Sequence, residues 1–142
     1  MQGSAQAGTV GAALGKLGFT PGQVIQEIGW DDDVDEALRA SVEQVVGSPL
    51  EDEGYSAGAD GVLLWFREDD GDLVDTLVDA LTNLVDRGFV VLCTPRAGQP
   101  GHVEPSEIED AALTAGLHPS GAANVARHWS VVRVVAPKSQ RR

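Results

Sequence analysis

The most constraining stretch of the chain is Ala59-Asp60-Gly61-Val62-Leu63-Leu64-Trp65-Phe66. Successive side chains of a strand point to opposite faces, so an unbroken apolar run needs cover on both. Such a strand belongs in the middle of a parallel sheet, whose strands are joined by helical crossovers. Phe89-Val90-Val91-Leu92-Cys93 repeats the pattern and is ended by Thr94-Pro95. Between the two runs, Leu73, Leu77, Leu81 and Leu84 recur at helical spacing, with Val74, Val78 and Val85 beside them. The spacing predicts a long amphipathic helix closed by Arg87 and Gly88.

The same unit occurs earlier. Val24-Ile25-Gln26-Glu27-Ile28 reads as a strand launched by the turn Thr20-Pro21-Gly22, and runs through Gly29-Trp30 into the acidic cluster Asp31-Asp32-Asp33. Aspartates suit a helix start, where free N–H groups need acceptors and the dipole favours anions. The next helix is therefore expected to begin in that cluster. Val34, Leu38, Val42 and Val45 would face the sheet, and Gly47-Ser48-Pro49 would end it. Residues 50–58 form an acidic loop with room for a very short strand at most. A second acidic turn, Glu68 to Asp72, follows the central run. Glu104-Pro105-Ser106-Glu107 starts a helix running to Ala115-Gly116, with proline in its first turn. Residues 117–127 and Trp129 to Ala136 then read as an antiparallel strand pair, the second rich in β-branched residues.

The expected fold class is α/β: a Rossmann-like three-layer sandwich with a mostly parallel sheet and a C-terminal antiparallel strand pair. The chain of 142 residues suits one domain. We expect a flexible segment at 1–15 with one weak helical turn near Val10 to Leu17, a single domain over 16–137, and a basic tail at 138–142. Gly11 to Leu17 superficially suggests a phosphate loop. Its glycine spacing is one residue short, and Leu17 stands where the magnesium-holding Ser or Thr belongs.

Charge narrows the partners. The formal net charge of −12 repels phosphate backbones, so nucleic acid is not an expected partner. No apolar run approaches the roughly 20 residues of a membrane span, and no membrane is expected either. The first residues lack the charged and apolar regions of a signal peptide, and a single cysteine, Cys93, permits no internal disulfide. A reducing, cytoplasmic setting is the expectation.

The order of strands and helices resembles that of class I S-adenosylmethionine-dependent methyltransferases. Leu17 to Gly29 is similar to that family's first motif, an apolar strand ending in acid–x–Gly. Ala59 to Leu64 resembles its fourth strand and Leu84 to Val91 the step into its fifth, while Ala111 to Leu117 with Trp129 to Val132 resembles its last helix and hairpin. The resemblance implies S-adenosylmethionine as a candidate cofactor, with Glu27, Gly29, Trp30 and Asp31 as cofactor-binding candidates. The chain departs where Trp30-Asp31-Asp32-Asp33 replaces the further small residues of the motif. No proper second or third strand lies between Gly47 and Ala59 to carry the family's ribose-holding acid, for which Glu51, Asp52 and Glu53 are the substitutes at hand. Longer strings identify the chain as similar to the actinobacterial Domain of Unknown Function 3052 family. They are Gly29 to Asp35, Leu64 to Leu73, Thr94 to Arg96, Gly98 to Ser106, Trp129-Ser130 and Ala136-Pro137-Lys138. That resemblance implies no activity.

Four groups of residues are candidates for chemistry. In a parallel sheet both acidic turns lie at the carboxyl edge, so Asp31, Asp32, Asp33 and Asp35 and then Glu68, Asp69, Asp70 and Asp72, with Arg67, would border one crevice. They would suit a hard cation or a cationic partner; the competing reading is helix capping and solvated charge. The EF-hand pattern fails, because Glu36 stands where glycine is needed. Trp30 and Trp65 could stack on a ligand base or pack the core. Thr94, Arg96 and His102 belong to a Gly/Pro-rich segment after a strand end, suited to holding an anion or moving a proton, or to serving as a rigid connector. Cys93 ends a buried strand and reads as an inert small apolar residue. No residue is assigned as catalytic. The leading expectation is a non-catalytic module that binds a protein partner or a small effector without a cofactor. The alternatives are an atypical S-adenosylmethionine-dependent methyltransferase and an acidic module that binds a divalent cation.

Overall fold

The computed structural model describes residues 10–136. A short helix, α1, covers residues 10–16. It is followed by β1 (Ile25–Ile28), α2 (Glu36–Val46), β2 (Ala59–Trp65), α3 (Leu73–Leu81), β3 (Leu84–Pro95), α4 (Pro105–Thr114), β4 (His118–Ala123) and β5 (Trp129–Val135). The five strands form one sheet in the order β1-β2-β3-β5-β4. The pairs β1–β2 and β2–β3 are parallel, while β5 runs antiparallel to both β3 and β4.

Helices cover both faces, as the two apolar runs require. On one face α1 and α2 place Leu14, Leu38, Val42 and Val46 against Ile25, Leu63, Trp65, Val91 and Cys93. On the other, α3 and α4 place Leu77, Ala80, Ile108 and Ala112 against Val62, Leu64, Val90, Leu92 and Val134. Adjacent residues of β2 thus enter different cores, which is why its apolar run is continuous. The result is a Rossmann-like three-layer sandwich.

Four boundaries differ from the expectation. α2 begins at Glu36, not in the cluster Asp31 to Asp33, because Asp35 is its cap and accepts from Leu38 N–H at 2.9 Å. The three preceding aspartates stay in a turn, where Val34 N–H donates to the Asp31 carbonyl. α3 stops at Leu81 rather than reaching Arg87. Asn83 draws the chain back to the sheet: its side chain donates to the Tyr55 carbonyl at 2.9 Å and accepts from Gly58 N–H at 3.1 Å, and its carbonyl accepts from Ala59 N–H. β3 therefore starts at Leu84, and the left-handed Arg87 falls inside it where the register with β2 shifts. Folded structure also begins before residue 16, since α1 buries Leu14 completely. Burying a leucine is worth roughly 2 kcal/mol, which favours the helix despite its two glycines. The expected flexible residues 1–9 and the basic tail 138–142 lie outside the described residues.

Residues 50–58 contain a single parallel bridge, Glu51 to Gln26. Glu51 N–H donates to the Ile25 carbonyl, and Glu27 N–H donates to the Glu51 carbonyl, both at 2.8 Å. This one residue covers the outer edge of β1, and Glu53 follows it to the turn after that strand.

Candidate functional site at the carboxyl edge of the sheet

β1, β2 and β3 run the same way, so the segments after them converge at one edge. Trp129, at the start of the antiparallel β5, joins them opposite Pro95. The turn after β1 is forced by Gly29. Its φ is +83°, and a Cβ there would lie 2.2 Å from the Trp65 carbonyl oxygen. Only glycine lets the two backbones approach so closely.

Both backbone groups of that glycine are already engaged. Its N–H donates to the Glu53 carboxylate at 2.8 Å, and its carbonyl accepts from Arg67 Nη1 at 2.8 Å. Arg67 is the hub of the edge. Its guanidinium forms a two-pronged pair with Asp33, one arm at 3.0 Å, and Nη1 lies 3.2 Å from Asp70 Oδ2. Asp70 also accepts from Arg67 N–H at 2.9 Å. The Arg67 guanidinium stacks 5.2 Å from the centre of the Trp129 ring, whose Nε1 donates to the Asp33 carbonyl at 3.3 Å. The two acidic turns do meet, and the cation between them is the protein's own. Among the described residues no group of three or more His, Cys, Asp or Glu side chains is placed to hold a metal ion.

The electrostatics follow from these contacts. The hydrogen bonds from Arg67 hold the Asp33 carboxyl below the ordinary range, against a smaller opposing effect of burial. Burial disfavours the Arg67 charge, but the bonds to Asp33 and Asp70 outweigh it and raise its pKa. Burial pushes the Cys93 thiol far up, with the charges of Asp35 and Glu27 adding to it, so it is no nucleophile at neutral pH.

Glu27 does not reach the cleft. It points under α2, where it accepts from Arg39 Nε at 2.6 Å, Arg39 Nη2 at 2.8 Å and Trp65 Nε1 at 2.8 Å. Trp65 is buried in an edge-to-face pair with Trp129, centroids 4.9 Å apart, and so belongs to the core. Trp30 is 52% exposed and lines the cleft after β1 with Asp31 and Glu53. Asp31 Oδ1 accepts from Asp32 N–H at 2.7 Å. Asp35 and Asp72 are caps, of α2 and α3, and Asp35 also accepts from Arg127 N–H at 3.2 Å. Asp69 is exposed. Thr94 is buried. Arg96 turns to the segment before β5, donating to Asn124 and, at 3.0 Å, to the Ala126 carbonyl. His102 Nδ1 lies 2.9 Å from the Pro95 carbonyl, and its Nε2 lies 3.5 Å from Glu104. Glu27, Arg96 and His102 thus bond to separate partners and not to one another. Arg39 was not foreseen: nothing in its spacing links it to Glu27.

The cleft bordered by Gly29, Trp30, Glu53 and Arg67 has a volume of about 230 Å³. That is below the roughly 300 Å³ at which small-molecule sites begin.

Comparison with known proteins agrees with this architecture. A family model described as a protein of unknown function, DUF3052, matches residues 14–138. The chain belongs to the DUF3052 family. It is 50% identical over 125 residues to uncharacterized proteins of Mycobacterium bovis and Mycobacterium tuberculosis, covering 88% of this chain and 78% of each relative. Among solved structures it is similar to the O-methyltransferase NcsB1 from neocarzinostatin biosynthesis, in complex with S-adenosylmethionine and 2-hydroxy-5-methyl naphthoic acid. The TM-score is 0.65 at 15% identity, over 90% of this chain and 52% of that one. The Streptomyces davawensis dimethyltransferase RosA gives a TM-score of 0.65 at 15% identity, over 95% and 55%. A Lactobacillus delbrueckii ribosomal protein L11 methylase gives 0.55 at 10% identity, over 92% and 79%. This DUF3052 chain thus has a methyltransferase-like fold and spans about half the length of the first two enzymes.

Proposed function

We propose that this DUF3052 protein is a non-catalytic module that binds a protein partner or a small effector on a methyltransferase-like scaffold. The observation that carries the reading is the self-occupied turn: Glu53 holds the Gly29 N–H and Arg67 holds the Gly29 carbonyl. A nucleoside cofactor at this edge needs backbone approach, free donors and room. Here the donor is taken, a tryptophan follows the glycine, and the guanidinium of Arg67 is anchored by two carboxylates and an indole. The acid of the first motif, Glu27, is consumed beneath α2. These engagements argue against S-adenosylmethionine at this turn.

A second reading, an atypical S-adenosylmethionine-dependent methyltransferase, is favoured by one observation. Glu53 borders the cleft beside Trp30, in the region expected to supply a ribose-holding acid. Both NcsB1 complexes, with S-adenosylmethionine and with S-adenosyl-L-homocysteine, match this fold. Calorimetric titration of the folded 142-residue chain with each nucleoside separates the readings. The binding-module reading expects no heat beyond dilution; micromolar binding of either nucleoside would overturn it.

A further inference from the structure

We infer that the groove between α3 and α4 is a docking face for a cationic amphipathic segment of a partner protein. The inference rests on the binding-module reading and gives it a surface and a partner chemistry. The groove has a volume of about 380 Å³, and its floor is apolar, with Phe66, Leu73 and Val103. Its rim carries Glu68, Glu107 and Asp110. All three are exposed, and among the described residues none forms an ion pair. Outside the groove itself, the same two helices expose apolar side chains. Val78 lies one turn beyond the groove residue Val74, and Leu113 one turn beyond Asp110; they are 47% and 63% exposed.

The charge of the two helices is one-sided. α3 contributes Asp75 and Asp79, α4 contributes Glu107, Glu109 and Asp110, and neither helix contains a lysine or arginine. A surface helix ordinarily mixes signs, and cations near the helix C-terminus are favourable; both helices forgo them. Exposed leucine and valine between unpaired carboxylates is the complement of a helix with apolar anchors on one stripe and lysine or arginine along its flanks. A second copy of this chain is a poor occupant, because two faces of this kind would repel each other.

The test uses a fluorescein-labelled amphipathic peptide of leucine and lysine, whose anisotropy is read as the 142-residue chain is added. Three double variants are compared after circular dichroism shows each to be folded: Glu107→Gln with Asp110→Asn, Val78→Ser with Leu113→Ser, and Asp31→Asn with Asp32→Asn. The first and third remove the same charge at different places. The expected result is about tenfold weaker binding for the first two and less than about twofold for the third, whose residues lie outside the groove. Equal weakening by both charge variants would reduce the effect to the field of an acidic protein and overturn the inference. Undiminished binding of a peptide with alanine in place of leucine would overturn it too. So would a dimer in sedimentation that Leu113→Ser dissolves, since a second copy would then own the groove. Nucleoside binding in calorimetry would overturn the binding-module reading while leaving these outcomes readable, so the two fail separately.

Discussion

Gly29 carries two constraints at one position: a left-handed φ of +83° and a backbone oxygen 2.2 Å from any added Cβ. Gly29→Ala must therefore bear conformational strain and push β1 from β2, each worth roughly 1–3 kcal/mol. The urea midpoint is expected to fall by the equivalent of about 3 kcal/mol. A variant as stable as wild type would show that the turn has slack. The Asp33–Arg67 pair carries a pH signature. Its folded-state pKa is lowered, so its contribution is complete above the ordinary carboxylate value of 3.8 and is lost as pH falls through the lower folded value. Asp33 is half exposed, so the pair is worth about 1 kcal/mol at most. The stability difference between wild type and Asp33→Asn should hold at neutral pH and vanish in urea titrations well below pH 3.8. A constant difference would mean that Asp33 acts through packing alone.

The elements of the sheet were legible because their burial is written in the pattern. β2 and the buried end of β3 read as apolar runs since each faces two cores. The ends of α2 and α3 were not legible, because long-range partners set them. Asp35 outcompetes three neighbouring aspartates as cap, and Asn83 ends α3 by bonding to a loop 28 residues earlier in the chain. The candidate site divides the same way. That both acidic turns face one edge follows from parallel strands, but that Arg67 fills the space between them depends on a rotamer no spacing encodes. The Glu27–Arg39–Trp65 network is likewise tertiary and ties β1, α2 and β2 together. Arg39→Ala would leave the buried Glu27 charge without its cation, a loss of about 3 kcal/mol in chemical denaturation. Glu27→Gln with Arg39→Met should recover most of it, since no charge stays buried and Trp65 Nε1 keeps an acceptor. If the double variant is no better than Arg39→Ala, the ion pair itself is the stabiliser.

At the scale of the molecule, an ordinary Rossmann-like core carries an atypical edge. The single bridging residue Glu51 stands outside β1 in place of further strands, and it delivers Glu53 to the one turn where a ligand would need backbone donors. The net charge of −12 then leaves a surface better suited to cationic partners than to anionic ones. The turn after β1 is occupied by the protein's own side chains. The most direct test is the amide spectrum of the 15N-labelled chain, recorded while S-adenosyl-L-homocysteine is added to millimolar excess. The Gly29 and Trp30 amide signals and the Trp30 indole signal are expected to stay where they are. Saturable shifts of those signals would contradict that occupancy and place a nucleoside in the cleft.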